Sequence, residues 1–271
     1  SVIRPAAFCG CVGFKPGEGT LATAGIQPFS PTLDQPGLFT RTVEDAALAF
    51  AALREGPEAL RAEIWPLSPL DYPPRLAAVR SPVWSQAEPA AQRSFVATLA
   101  CLRAAGAEVT ETELPAAFEY AHAAHRTIMA FEAARTLSEL QSQQREKLSA
   151  VLNRFLDEGH AIDAAAHAKA LAQRQILRAG FGSFLAGFDA IVTPPTLGEA
   201  PATLEHTGDP AFCTIWTLLG VPALTLPVGF GPQGLPLGLQ IVGTLQDDAH
   251  LLCVARWVEQ AVALAPGFPE R

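Results

Sequence analysis

The chain has 271 residues, 49% hydrophobic and 17% charged, with a formal net charge of −8. That composition can bury a large core and excludes a disordered chain. The acidic balance offers no basic footprint for a phosphate backbone, and the longest apolar runs, such as AALAFAAL at 46–53, fall far below the roughly 20 residues of a membrane span.

Residues 1–42 carry turn signals every few positions, from Gly10 and Gly13 to Pro36-Gly37. Short apolar pieces lie between them, and the spacing predicts short strands and tight connections rather than helices. Thr42 then precedes VEDAALAFAALR, an N-cap with acids in the first turn and helical spacing behind it. A proline-rich crossing at 66–74 leads to PRLAAVRS, a strand. The helix that follows carries Phe95, Leu99 and Leu102 on one face and ends near Gly106, and AEVTETEL alternates as a strand. Strand, helix, strand predicts a parallel βαβ unit.

From 116 to 187 the chain reads as helix, interrupted at DEGHAID (157–163). FDAIVTPP reads as a buried strand, followed by a helix, a strand, a hairpin turn and another strand up to Gly243. DDAHLLCVARWVEQAV closes the pattern as an amphipathic helix capped by Asp247 or Asp248. No internal repeat is present. Residues 1–271 are expected to form a single α/β domain, a mixed twisted β-sheet flanked by helices on both faces.

The five cysteines are scattered and odd in number, and read as buried free thiols of a reducing compartment. No signal peptide is visible, and the expected location is cytoplasmic. A literal G-x-G-x-x-G at Gly229, Gly231 and Gly234 leads into a strand, not a helix, and so reads as a hairpin turn. The histidines of HAAH at 122–125 lack the HExxH pattern of a zinc site and read as a solvated helix face near Glu119 and Glu132. No metal site and no cofactor are expected.

The informative stretches are the two ends. SVIRPAAFCGCVGFKP is similar to the segment of the amidase signature family that begins at its nucleophilic serine, with Ser1, Val2, Arg4, Pro5, Ala6, Cys9, Gly10, Val12, Gly13, Phe14, Lys15 and Pro16 in step. Pro28, Leu33, Asp34, Gly37, Arg41, Thr42, Asp45 and Ala46 continue the match. FDAIVTPP and GVPALTLPVGFGPQGLPLGLQIVG resemble the family's later Thr-Pro strand end and closing hairpin. The resemblance is weak over 55–185. Two departures, Gly17 after Lys15-Pro16 and Thr32 before Leu33-Asp34, fall at positions that read as structural.

The resemblance implies an amidase that cleaves a small-molecule carboxamide to acid and ammonia through a serine acyl-enzyme, with Ser1 as nucleophile. It also implies a lysine, a second serine on a cis peptide and glycine-rich donors upstream of Ser1, so the chain reads as the carboxy-terminal portion of such a fold. Lys15 sits in a turn and reads as structural, although the α-amine of a terminal Ser1 is a conceivable base. Phe212, Ile215 and Trp216 fall where the family lines its acyl pocket, and also read as core residues of one helix. Arg4 either orients a polar or anionic substrate end or pairs with a core carboxylate. Two other functions stay open: the A subunit of a glutamyl- or aspartyl-tRNA amidotransferase, and an inactive fragment or scaffold lacking the lysine and second serine. Trp216-Thr217 departs from the small residue and asparagine usual in that subunit. No direct nucleic-acid or membrane partner is expected, and a homodimer is compatible with the reading.

Overall fold

The computed structural model describes residues 2–54, 67 and 69–263. Ser1 and positions 66 and 68 of the proline-rich crossing lie outside them. The first element corrects the expectation of strands and turns over 1–42: Ile3–Cys9 is a helix, α1. Pro5 sits in its first turn, where a missing N–H costs nothing. Gly10, at φ 65, closes the helix in the left-handed conformation, and Cys11 N donates to Ala6 O at 3.1 Å. One face of two turns is too short to show a period, so the turn residues around it dominate the sequence signal.

Two strands follow, β1 (Val12–Lys15) and β2 (Leu38–Thr40), then α2 (Val43–Leu53). Thr42 caps α2 as anticipated, accepting from Asp45 N at 3.0 Å. The βαβ unit is β3 (Arg75–Val79), α3 (Pro89–Ala104) and β4 (Glu108–Thr112), with β3 and β4 parallel.

The helical segment contains α4 (Ala121–Thr136), α5 (Ser138–Gln144), α6 (Ala150–Ala161) and α7 (Ala164–Leu185). The break anticipated at 157–163 is confined to Ile162 and Asp163, and further breaks fall at Leu137 and between α5 and α6. Caps set these boundaries: Ser149 accepts from Leu152 N, and Asp163 from Ala166 N. Gly159 does not break α6. A Cβ there would meet the Ala130 carbonyl carbon at 2.7 Å and Ala134 Cβ at 2.8 Å, so the glycine lets α6 lie directly on α4.

The remaining elements are β5 (Ala190–Thr193), α8 (Ala211–Leu219), β6 (Ala223–Phe230), β7 (Pro236–Val242) and α9 (Asp248–Ala263). The G-x-G-x-x-G is the β6–β7 hairpin turn, closed by Gly231 N to Leu235 O at 2.8 Å. Asp247 caps α9 through His250 N at 3.2 Å. The strands form one seven-stranded mixed sheet in the order β2-β1-β6-β7-β5-β3-β4, parallel only across β5-β3-β4.

Alternation along β3 shows why both faces are covered. Leu76 and Ala78 join one core with Phe50, Phe95, Leu99 and Leu252 of α2, α3 and α9. Ala77 and Val79 join the other with Ile128, Phe181 and Trp216 of α4, α7 and α8. A central strand buried on both faces needs an apolar residue at every position, and RLAAV and AIVT nearly supply one.

Two glycine-to-alanine changes in neighbouring helices should differ in sign. Gly159→Ala should destabilise by about 1–3 kcal/mol because a backbone blocks the new methyl. Gly180→Ala, exposed with nothing within 4 Å, should stabilise by up to about 1 kcal/mol through helix propensity. Denaturant midpoints of the two variants check this.

Candidate active site

Ser1 lies outside the described residues, but its covalent neighbour Val2 is the N-cap of α1 and lines a cavity of about 380 Å³. That volume falls within the range of small-molecule sites. The segment before β2 approaches Val2 closely because position 37 is glycine: a Cβ there would press on Val2 Cγ2, with Cγ1 at 2.8 Å and Phe14 O at 2.9 Å. The start of α1 is thereby fixed over β1.

The cavity wall combines apolar groups (Val2, Ile26, Pro28, Leu33) with Lys15, Asp34, Gln35 and Thr217. Its cation is already committed. Lys15 Nζ donates to Val221 O at 2.6 Å, to Pro16 O at 3.4 Å and to Gln35 Oε1. Burial lowers its pKa to about 7, against the pull of the Asp248 carboxylate. Three structural acceptors around one amine fit the reading of Lys15 as a framework residue. Asp248 in turn accepts from Gly17 N at 2.8 Å and Thr20 Oγ1 at 3.1 Å, so Gly17, one of the two departures, is part of the same framework.

The other anticipated residues take distinct places. Arg4 is half-buried and meets no carboxylate among the described residues: Nη1 donates to Gly208 O at 2.8 Å and Nη2 to Thr207 Oγ1 at 3.0 Å, and its buried Nε has no partner among them. Phe212, Ile215 and Trp216 on α8 are all buried to within 2% exposure. Phe212 packs with Val83 and Ala87, and Trp216 lies 6.1 Å from the Phe181 ring. The residue of α8 that lines the cavity is Thr217.

Other candidate groups are occupied elsewhere. Burial pushes the Cys213 thiol up to about 11, and it donates to Pro195 O at 3.2 Å, so it does not rival a serine as nucleophile. The expectation that all five thiols are buried is corrected: Cys9 is exposed, and of the five only Cys213 is fully buried. The HAAH pair is also not a solvated face. Both histidines are half-buried, His122 Nε2 lies 2.9 Å from Ala211 O, and burial beside His122 lowers His125 to about 4. Among the described residues no group of three His, Cys, Asp or Glu is arranged to hold a metal.

A family model described as Amidase matches residues 1–252. The chain belongs to the amidase family. The A subunit of the glutamyl-tRNA(Gln) amidotransferase from Synechococcus elongatus is 31% identical over 299 residues, covering 96% of this chain and 62% of that protein. A solved structure described as a crystal structure of amidase superposes with a TM-score of 0.84 at 28% identity, covering 96% of this chain and 60% of that one. A structure of 6-aminohexanoate cyclic dimer hydrolase complexed with substrate shares the fold, with a TM-score of 0.78 at 22% identity, over 98% of this chain and 64% of that one. The chain thus spans about 62% of the length of the Synechococcus relative.

Within this amidase-family chain, the sequence reading did not single out Gln35 as a wall residue and named Thr217 only as a departure from the amidotransferase A subunit. Gln35 and Thr217 carry no motif of their own; the Lys-Pro turn and the α8 segment mark only their neighbourhoods.

The Lys15 environment has a measurable consequence. Its folded-state pKa of about 7 lies below the free value of 10.5, so between those limits the unfolded chain binds the extra proton. Stability should therefore rise with pH across that window, by at most about 1.4 kcal/mol per pH unit from this group. Unfolding titrations at pH 7 to 10 should show a shallower rise in Lys15→Met than in the parent.

Proposed function

We propose that the intact protein is an amidase that hydrolyses a small carboxamide to the acid and ammonia, with Ser1 as the nucleophile. The observation that carries this reading is the family match running from Ser1, whose neighbour Val2 caps α1 and lines the cavity. Serine is a weak nucleophile at neutral pH and needs a base. In this reading a buried neutral lysine upstream of Ser1 takes the proton through a bridging second serine. Ser1 Oγ then attacks the amide carbon, and backbone N–H groups hold the oxyanion. Ammonia leaves with the returned proton, and water hydrolyses the acyl-enzyme to acid and free serine.

Residues 1–271 act in this reading as one domain, and the cavity receives the acyl side of the substrate without a cofactor. Phe212, Ile215 and Trp216 serve the pocket by holding α8 in place, which brings Thr217 to the wall. Arg4 anchors the 207–208 loop. Free thiols, including the exposed Cys9, fit a cytoplasmic setting. No helix among the described residues is long and apolar enough to cross a membrane.

The identity to the A subunit of glutamyl-tRNA(Gln) amidotransferase favours a second reading, in which the protein works as one component of such a complex. Trp216-Thr217 weighs against it.

In the intact protein, Ser1→Ala should reduce ammonia release from small amides by roughly 10³-fold or more. Unchanged release would sink the nucleophile assignment. Glutamine-dependent amidation of a charged tRNA by a copurifying complex would favour the second reading. Absence of turnover in both assays would support an inactive scaffold.

A further inference from the structure

We propose that Glu132 on α4, together with His167 on α7, is a positioning residue that fixes the 28–36 wall of the cavity and so sets substrate affinity. This rests on the reading that the cavity receives the substrate.

Besides the Lys15–Gln35 bond at its far end, the wall segment is built from two sets of contacts. One is internal: Asp34 Oδ2 accepts from Phe29 N at 2.7 Å and Ser30 N at 3.0 Å, and Leu33 N donates to Ser30 O at 2.8 Å. These bonds give the segment its shape but do not hold it against the protein. The second set does. Glu132 Oε2 accepts from Ser30 Oγ at 2.7 Å and Thr32 N at 3.0 Å, and its Oε1 lies 2.5 Å from Thr32 Oγ1 and 3.2 Å from His167 Nε2. One carboxylate thus meets three groups of a segment 100 residues away in sequence. Pro28, Pro31, Leu33 and Asp34, on either side of the bonded residues, line the cavity.

The latch is itself held rigid. The His167 ring stacks on Phe131 at 4.0 Å and 8°, and the Arg135 guanidinium also lies over the Phe131 ring, 3.2 Å from its centroid. Burial opposes the Glu132 charge, but the bonds from Thr32 and Ser30 outweigh it and hold the carboxyl below its usual range. Beside Glu132, Phe29 stacks on Phe155 of α6 at 6.0 Å. The helical segment, where the family resemblance is weakest, therefore reaches the cavity wall through Glu132 and Phe155.

The test uses the intact protein and three variants: Glu132→Ala, Glu132→Gln and His167→Gln. Glu132→Ala should raise KM for a turned-over amide by roughly tenfold while kcat stays within about twofold. Glu132→Gln, which keeps one acceptor oxygen and the side-chain volume, should recover part of the loss, and His167→Gln should show a smaller rise. Hydrogen exchange should quicken at 28–36, the Thr32 amide above all, and stay unchanged in β6 and β7. Unchanged KM, or exchange quickened equally throughout the sheet, would overturn the proposal. Should the parent turn over no amide, the amidase reading fails on its own, and exchange at 28–36 alone decides whether Glu132 fixes the wall.

Discussion

One buried amine joins the parts of this site that sequence separates. Lys15 ends β1, and its three bonds reach the turn after that strand, Gln35 on the cavity wall and Val221 at the entry to β6. A buried ammonium without partners would cost several kcal/mol. Those three segments must therefore hold their oxygens in place for the fold to keep this lysine. The same requirement places the end of β1, the cavity wall and the start of the hairpin around one point.

The neighbouring charges extend this framework. Asp248, at the first turn of α9, holds Gly17 and Thr20 just beyond Lys15. Glu18 in the same turn lies between Arg174 and Arg178 of α7, 2.5 Å from Arg174 Nη2, and its amide donates to Gly220 O at 2.8 Å. Glu132 holds the same 28–36 wall from α4, on the face of the sheet opposite α9. Helices on both faces of the sheet thus send acidic side chains to the loops at one of its ends. Loops fixed by a rigid scaffold are the usual carriers of binding and chemistry.

Much of the fold was legible because its signals are local. The cap at Thr42, the alternation in β3 and β4, and the turn residues of the β6–β7 hairpin each lie within a dozen residues of what they specify. α1 was not legible, since seven residues around a proline show no period and are held by contact with β1. The break at 157–163 was drawn too wide because Asp157 and Gly159 look like breakers, yet one pairs with Arg145 at 2.5 Å and the other permits a close helix crossing. Near the cavity, the stretch SVIRPAAFCG marks the segment in which Val2 lines the wall, and α8 supplies Thr217. Which side of α8 meets the cavity could not be read from an almost wholly apolar helix. Glu132 stood out only beside the HAAH histidines, and its role could not be read because its partners lie 100 residues away in a different kind of structure.

The central claim is that Ser1, next to the cavity-lining Val2, is the reacting group. Treating the intact protein with a serine-directed fluorophosphonate and mapping the modified residue by peptide mass spectrometry tests it most directly. The account predicts a single adduct on Ser1, formed in step with loss of amide hydrolysis. Loss of hydrolysis with Ser1 unmodified and the adduct on another residue would contradict it.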